Sequence, residues 1–306
     1  MPPLRILWMA GAGLLLLAAV WLAGDFLYSR AVLFRSARHP RQAAADPIAL
    51  NPSGSPALLL IHGFADGPSV FARLAPLLAD AGCAVRAMHL SGSGLPPRDM
   101  AGTTLGTWRA DIDREISALR RENPERPVWL AGHSLGGALA FDAALRTDNR
   151  IAGLILLAPL IEPSNTRSPL LTSRQWFHLL SRGLFFSRVV ESRLPPDLHD
   201  PGARAAYETD RFIHRDIYRA LFAAIDATAP RAAEWDGPLF MAVSPADRIV
   251  DAAASERFFR AAVRARPAEL VRLPDAGHVL PLDAGHPDLA RRIAAFIRMS
   301  LTPPPA

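Results

Sequence analysis

Gly132, Ser134 and Gly136 stand in Gly-x-Ser-x-Gly spacing, between the apolar run Val128-Trp129-Leu130-Ala131 and an alanine- and leucine-rich run from Ala138 to Leu145. Apolar run before and Ala/Leu-rich run after read as a buried strand and a helix. A turn that tight crowds its own backbone. Glycines on either side remove the Cβ clashes, so the serine can perch on a strained corner with its hydroxyl exposed. The helix that starts there points free N–H groups and the positive end of its dipole at any anion formed beside the serine. The chemistry this suits is nucleophilic attack by Ser134.

A serine hydroxyl needs a base, and the base needs an orienting carboxylate. Asp247 follows the strand-like run 239–243, and His278 follows the last such run, 270–273. Both fall at the C-terminal ends of strands, the edge that also carries Ser134, in the chain order Ser, Asp, His. Two substitutes compete. His286 lies at the start of the terminal helix, further from that edge, and Asp251 sits on the helix after Asp247 and should point away. Asp247 could also serve only as a helix cap. The oxyanion of the tetrahedral intermediate needs donors fixed in advance. Leu135 N–H, at the helix start, is one; Phe64 N–H, in the loop after the first long strand, is the natural other, with His62-Gly63 shaping the turn.

The elements that must position these groups follow from the pattern. Strands are expected over 57–61, 84–90, the run before Ser134, 154–157, 239–243 and 270–273, with helices over 70–81, 107–122 and 287–299. Continuous apolar strands alternating with helices mean a parallel sheet covered on both faces, about six strands in all. Residues 163–234 break the rhythm. They offer helices over 169–183 and 214–227 and no buried strand, and are dense in large apolar groups, with Trp176, Phe185 and Phe186 among them. That insertion follows a strand's C-terminal end, where ligands bind, and reads as a helical cap whose Trp176, Phe185 and Phe186 line an acyl pocket, the alternative being a helical layer packed on the core. The sheet-bearing core is then 57–162 with 235–300, and 301–306 is a loose tail.

Residues 6–24 carry no charge and span about 28 Å as a helix, enough to cross a hydrocarbon core. Trp8 and Trp21 lie near the two ends, where interfacial aromatics belong. A cleaved signal peptide would want small residues where Trp21-Leu22-Ala23 stands, so an uncleaved anchor over 1–29 is expected, with a linker over 30–56 that has room for little more than one short strand. The arginines on its C-terminal side (Arg30, Arg35, Arg38, Arg41) outnumber Arg5, which leans toward a cytoplasmic catalytic domain in a single-pass protein of a bacterial inner membrane. The strand set beginning at Ala57 is complete, so anchor and chemistry are expected to be separable.

The net charge is +5 with histidine neutral, and arginine carries all of the positive charge; the chain has no lysine. These arginines are scattered and often stand beside carboxylates, which is not the footprint of a nucleic-acid binder. Cys83 is the only cysteine, so no internal disulfide or thiolate metal cluster is possible, and it reads as a packed core residue.

Leu60-Ile61-His62-Gly63-Phe64, Gly132-His133-Ser134-Leu135-Gly136-Gly137, Asp247 and Asp275-Ala276-Gly277-His278 together resemble the α/β-hydrolase superfamily. Within it, Gly94-Leu95-Pro96-Pro97 and Thr107-Trp108-x-x-Asp111 are similar to bacterial carboxylesterases and monoacylglycerol lipases. The likeness covers about residues 57–300 apart from most of the cap. Relatives usually carry Gly-His-Gly where this chain has Gly92-Ser93-Gly94. A start at the Ala57 strand suits the smaller members, which lack the first antiparallel strands. The resemblance implies a serine hydrolase that cleaves carboxylic esters through an acyl-enzyme, with no metal or organic cofactor and a small-molecule or lipid ester as substrate. A lysophospholipase, a thioesterase, a prolyl-type aminopeptidase and a catalytically idle scaffold are the alternatives.

Overall fold

The computed structural model describes residues 2–39, 46–146, 149–168, 170–193 and 195–302. In chain order the elements are α1 (Pro2–Arg38), β1 (Ile48–Leu50), β2 (Ala57–Ile61), α2 (Leu74–Asp80), β3 (Ala84–Met88), α3 (Leu105–Glu122), β4 (Val128–His133), α4 (Leu135–Ala144) and β5 (Gly153–Leu157). The cap follows with α5 (Ser173–Gly183), β6 (Val189–Glu191), α6 (Pro201–Ala206), β7 (Phe212–His214) and α7 (Arg215–Thr228). Then β8 (Leu239–Val243), α8 (Ala252–Ala261), β9 (Ala268–Arg272) and α9 (His286–Leu301) complete the chain.

The main sheet has seven strands in the order β1-β3-β2-β4-β5-β8-β9, parallel throughout except β1, which pairs antiparallel with β3. Side chains alternate across it. Leu59 and Ile61 join one core with Ile112 and Ile116 of α3, Leu139 of α4 and Leu221 of α7; Leu58 and Leu60 join the other with Leu74 and Leu78 of α2 and Ile293 and Phe296 of α9. Strands buried on both faces read as unbroken apolar runs, which is why β2, β4, β5 and β8 were legible; the edge strand β9 is buried only at Val271 and showed only a short apolar run.

Three expectations need correction. The sheet does not begin at Ala57: β1 lies inside the stretch read as linker, and at three residues, none fully buried, it carries too little pattern to be seen. The cap does contain a buried strand, because β7 is buried at all three positions and pairs antiparallel with β6. The amino-terminal helix runs to Arg38, well past residue 29. Residues 40–45 of the linker, Pro169 at the expected start of the first cap helix and residues 303–306 of the tail lie outside the described residues.

Helix α1 is long and apolar enough to cross a membrane. Most of its described side chains are exposed, but its second half docks on the cap. Val32 is fully buried against Val189 and Phe212, and Arg35 pairs with Glu191 at 2.8 Å. The helix thus packs against the cap as well as extending from it.

Candidate active site

Ser134 occupies the corner between β4 and α4 with φ 54° and ψ −119°. A non-glycine residue is rarely found there, and such strain persists only when its surroundings fix it. They do so here: Ser134 N donates to Leu157 O of β5 at 2.9 Å, and Ser134 O accepts from Leu160 N at 2.9 Å. The flanking glycines are forced by contact. A Cβ on Gly132 would run into the Gly136 carbonyl, and one on Gly136 into the Ile61 carbonyl at the end of β2.

His278 and Asp247 meet in the loops after β9 and β8. Their Nδ1 and Oδ2 lie 2.7 Å apart, and both side chains are buried. The other carboxylate oxygen of Asp247 accepts from Ile249 N and Val250 N, each at 2.8 Å. Burial raises the Asp247 carboxyl, but His278 and those two N–H groups outweigh it and hold the acid below its ordinary range. Asp247 is thus ionised and fully committed, and its nearest proton belongs on His278 Nδ1. His278 and Ser134 open into the same cavity.

The two substitutes are placed elsewhere. Asp251 is the N-cap of α8, accepting from Ala254 N at 2.9 Å, and His286 begins α9 with its Nδ1 on Asp283 O at 2.8 Å. Phe64 lines the cavity beside Ser134. Its loop passes so close that a Cβ on Gly63 would sit 3.2 Å from Ser134 Cβ. The Leu135 N–H belongs to the first turn of α4, where no intrahelical acceptor is available. His62 is a strut: its Nε2 accepts from Leu90 N at 3.1 Å, so the proton sits on Nδ1 and donates to Gly63 O at 2.9 Å. Burial drives its basicity down to about 4, which keeps it neutral.

The cavity measures about 720 Å³ and takes its apolar walls from Trp176, Phe177 and Leu180 of α5, Leu184, and Tyr218, Leu221 and Phe222 of α7. Trp176 therefore falls where expected, but Phe185 and Phe186 do not. Both point away from the cavity, 64% and 48% exposed, and Phe186 packs edge-on against Phe26 of α1 with ring centroids 5.5 Å apart. The apolar density read as pocket lining serves two surfaces, and only one faces the serine.

Several further contacts support the site from outside the serine, acid and histidine. The carbonyl of Asp197, in the cap, accepts from His278 N at 2.8 Å, and the Asp283 carboxylate accepts from Gly277 N at 2.7 Å and His199 N at 3.0 Å. Together they pin the histidine loop to the cap. His133 Nε2 reaches His278 O at 3.1 Å from the neighbouring position to the nucleophile. Trp108 and Asp111 hold the loop after β3, through Trp108 Nε1 to Ser91 O at 3.0 Å and Ser91 N to Asp111 at 2.8 Å. For Asp197, His199 and Asp283 the only available signal was an acid or histidine set among apolar neighbours.

Asp210 lines the same cavity and accepts from Gly94 N at 2.9 Å. Burial pushes its carboxyl up to about 6, against the Gly94 N–H and with help from Asp66. The fold thus prefers the neutral acid. The stability this contributes is complete below the unfolded carboxylate range and is lost as pH rises through about 6. Melting curves should show Asp210→Asn gaining on the wild type between about pH 4 and pH 7. A difference that stays flat across that range rejects the assignment.

The strand order, the serine corner between β4 and α4, and the acid and histidine loops after β8 and β9 define an α/β-hydrolase. A family model for Hydrolase_4, serine aminopeptidase S33, matches residues 53–284, and the chain belongs to that family. It is 25% identical over 262 residues to the thermostable monoacylglycerol lipase of Bacillus sp. strain H-257, covering 85% of this chain and 97% of that one. With other curated relatives the match is shorter, spanning 37% of the monoglyceride lipase of Rattus norvegicus and 43% of a pimeloyl-[acyl-carrier protein] methyl ester esterase of Aromatoleum aromaticum. Among solved structures, one described under LipS and LipT, two metagenome-derived lipolytic enzymes, superposes with a TM-score of 0.72 at 24% identity, over 84% of this chain and 98% of that chain. A membrane phospholipase A, described as a bacterial virulence factor, has a TM-score of 0.54 at 19% identity but covers 97% of both chains, the amino-terminal helix included.

Proposed function

We propose that this protein is a serine hydrolase that cleaves carboxylic esters of lipid-like substrates, in the manner of a carboxylesterase or monoacylglycerol lipase. The observation that carries the reading is that the strained Ser134 opens into one apolar-walled cavity with a histidine already bonded to a buried carboxylate. Ser134 Oγ attacks the ester carbonyl while His278 Nε2 takes its proton. Asp247 keeps the other ring proton on Nδ1 and stabilises the imidazolium that forms. The N–H groups of Phe64 and Leu135 receive the oxyanion. His278 returns its proton to the departing alcohol, and water, activated by the same histidine, then releases the acid. Hydrolysis of p-nitrophenyl esters from two to sixteen carbons by the purified protein, with loss on fluorophosphonate treatment, tests this; no turnover on any ester and no labelling would reject it.

The substrate is expected to be reached at a membrane. Helix α1 has the length and exposure of a single-pass anchor, with the cap and the core beyond it. Retention in the membrane fraction through an alkaline carbonate wash supports that, and release overturns it. On the arginine bias the catalytic domain lies on the cytoplasmic side of a bacterial inner membrane.

A lysophospholipid or phospholipid ester is the second reading, and Arg215 favours it. Its guanidinium lines the cavity without a carboxylate within ion-pair distance among the described residues. Burial, Arg219 and Arg188 all weaken its hold on its proton, so an incoming phosphate would relieve an unbalanced charge. Arg215→Gln should raise KM for the phosphate-bearing substrate and leave the neutral glyceride unchanged.

A further inference from the structure

We propose that Asp25, on the amino-terminal helix, is a positioning residue of the substrate site. Its carboxylate fixes the backbone of residues 184–187, one wall of the acyl cavity. The proposal rests on the ester-hydrolase reading above and deepens it.

Asp25 is the first charge after nineteen uncharged residues. A carboxylate there is costly unless its lone pairs are taken up. They are: Asp25 is only 5% exposed and accepts three consecutive backbone N–H groups, from Phe185 at 2.7 Å, Phe186 at 2.9 Å and Ser187 at 3.1 Å. Successive N–H groups that converge in this way form a concave cradle for an anion. Here the anion comes from another part of the same chain. Bonds to an ionised acceptor are about twice as strong as neutral ones, so the three together outweigh ordinary loop fluctuation.

Further contacts bracket the cradle along one face of α1. Trp21 Nε1 donates to Gly183 O at 2.7 Å, taking up a carbonyl of the last turn of α5 that has no partner within its own helix. Ser29 Oγ donates to Phe186 O at 2.9 Å, and Ser187 Oγ to the Asp25 carbonyl at 3.2 Å. The segment so held has two faces. Phe185 and Phe186 lie outside the cavity, while Leu184 and Ser187 line it together with Ser134 and His278. Asp25 reaches neither reacting group. It acts through the loop, by setting where Leu184 and Ser187 stand when an acyl chain lies between α5 and α7.

The test uses full-length protein in detergent micelles, with variants Asp25→Ala and Asp25→Asn. The amide keeps the shape but loses the charge and one acceptor atom. Asp25→Ala should raise KM for twelve- and sixteen-carbon p-nitrophenyl esters about tenfold and change kcat by less than about twofold. Acetate and butyrate, too short to reach the wall, should be turned over within about twofold of wild type. Fluorophosphonate labelling of Ser134 should be unaltered. Amide hydrogens of residues 185–187 should exchange faster in the variant, and Asp25→Asn should fall between wild type and alanine on both measures.

An equal loss on every chain length would mean that Asp25 merely supports the fold, and unchanged exchange at 185–187 would mean that it holds nothing; either overturns the proposal. If Asp25→Ala does not fold, the asparagine variant decides by the same chain-length comparison. Wild-type protein that hydrolyses no ester at all would sink the underlying hydrolase reading instead, an outcome told apart because it precedes any substitution.

Discussion

Ser134→Ala should lower kcat for any ester by about a millionfold, the usual cost of removing the nucleophile from a triad. The loss is so large because attack, proton transfer and oxyanion binding operate as one unit, and the aligned His278–Asp247 pair has nothing to act on without the hydroxyl. The fold should be untouched. Alanine keeps the Cβ, and the bonds that impose φ 54° come from the backbone, through Ser134 N to Leu157 O and Leu160 N to Ser134 O. Ester turnover and circular dichroism on the same purified sample check both halves. Residual activity above about one per cent would place the nucleophile elsewhere.

Asp247→Asn is the second large effect, expected at about ten-thousandfold in kcat. The asparagine oxygen can go on accepting from Ile249 N and Val250 N, as Asp247 Oδ1 does at 2.8 Å, so the loop should hold its shape. The other branch then becomes an NH₂ facing His278 Nδ1, where a carboxylate now stands 2.7 Å away. An NH₂ donates. It forces Nδ1 to accept and sends the ring proton to Nε2, the atom that must receive the serine proton. A variant within about tenfold of wild type would show that Asp247 only caps its turn, as Asp251 does for α8.

Much of this was legible in the amino acids, and the reasons differ by element. β2 and β8 were read to the residue because a strand buried on both faces leaves an unbroken apolar run with sharp ends. The serine corner was legible because its glycines answer to backbone contacts a few residues away or on the next strand. β6 and β7 were missed, and the one short strand the linker had room for could not be placed at β1, because three residues cannot display a period. Phe185 and Phe186 were misread for another reason: apolarity says that a side chain leaves water, not which neighbour receives it. The Asp25 cradle joins groups 160 residues apart through backbone donors that every residue possesses, so no choice of side chain at 185–187 advertises it.

That separation also sets an order of events. Trp21, Asp25 and Ser29 leave the ribosome first, while the groups they hold at 183–187 follow after five strands of the main sheet have been made. Contacts so distant in sequence close late, after the local helices and neighbouring strands. His278 comes later still. On the anchored reading, the growing chain is lodged in the bilayer before it owns either a finished acyl wall or a base for its serine. Newborn copies thus cannot digest the lipids into which they are being inserted, and a chain that stalls partway is harmless to the membrane that holds it.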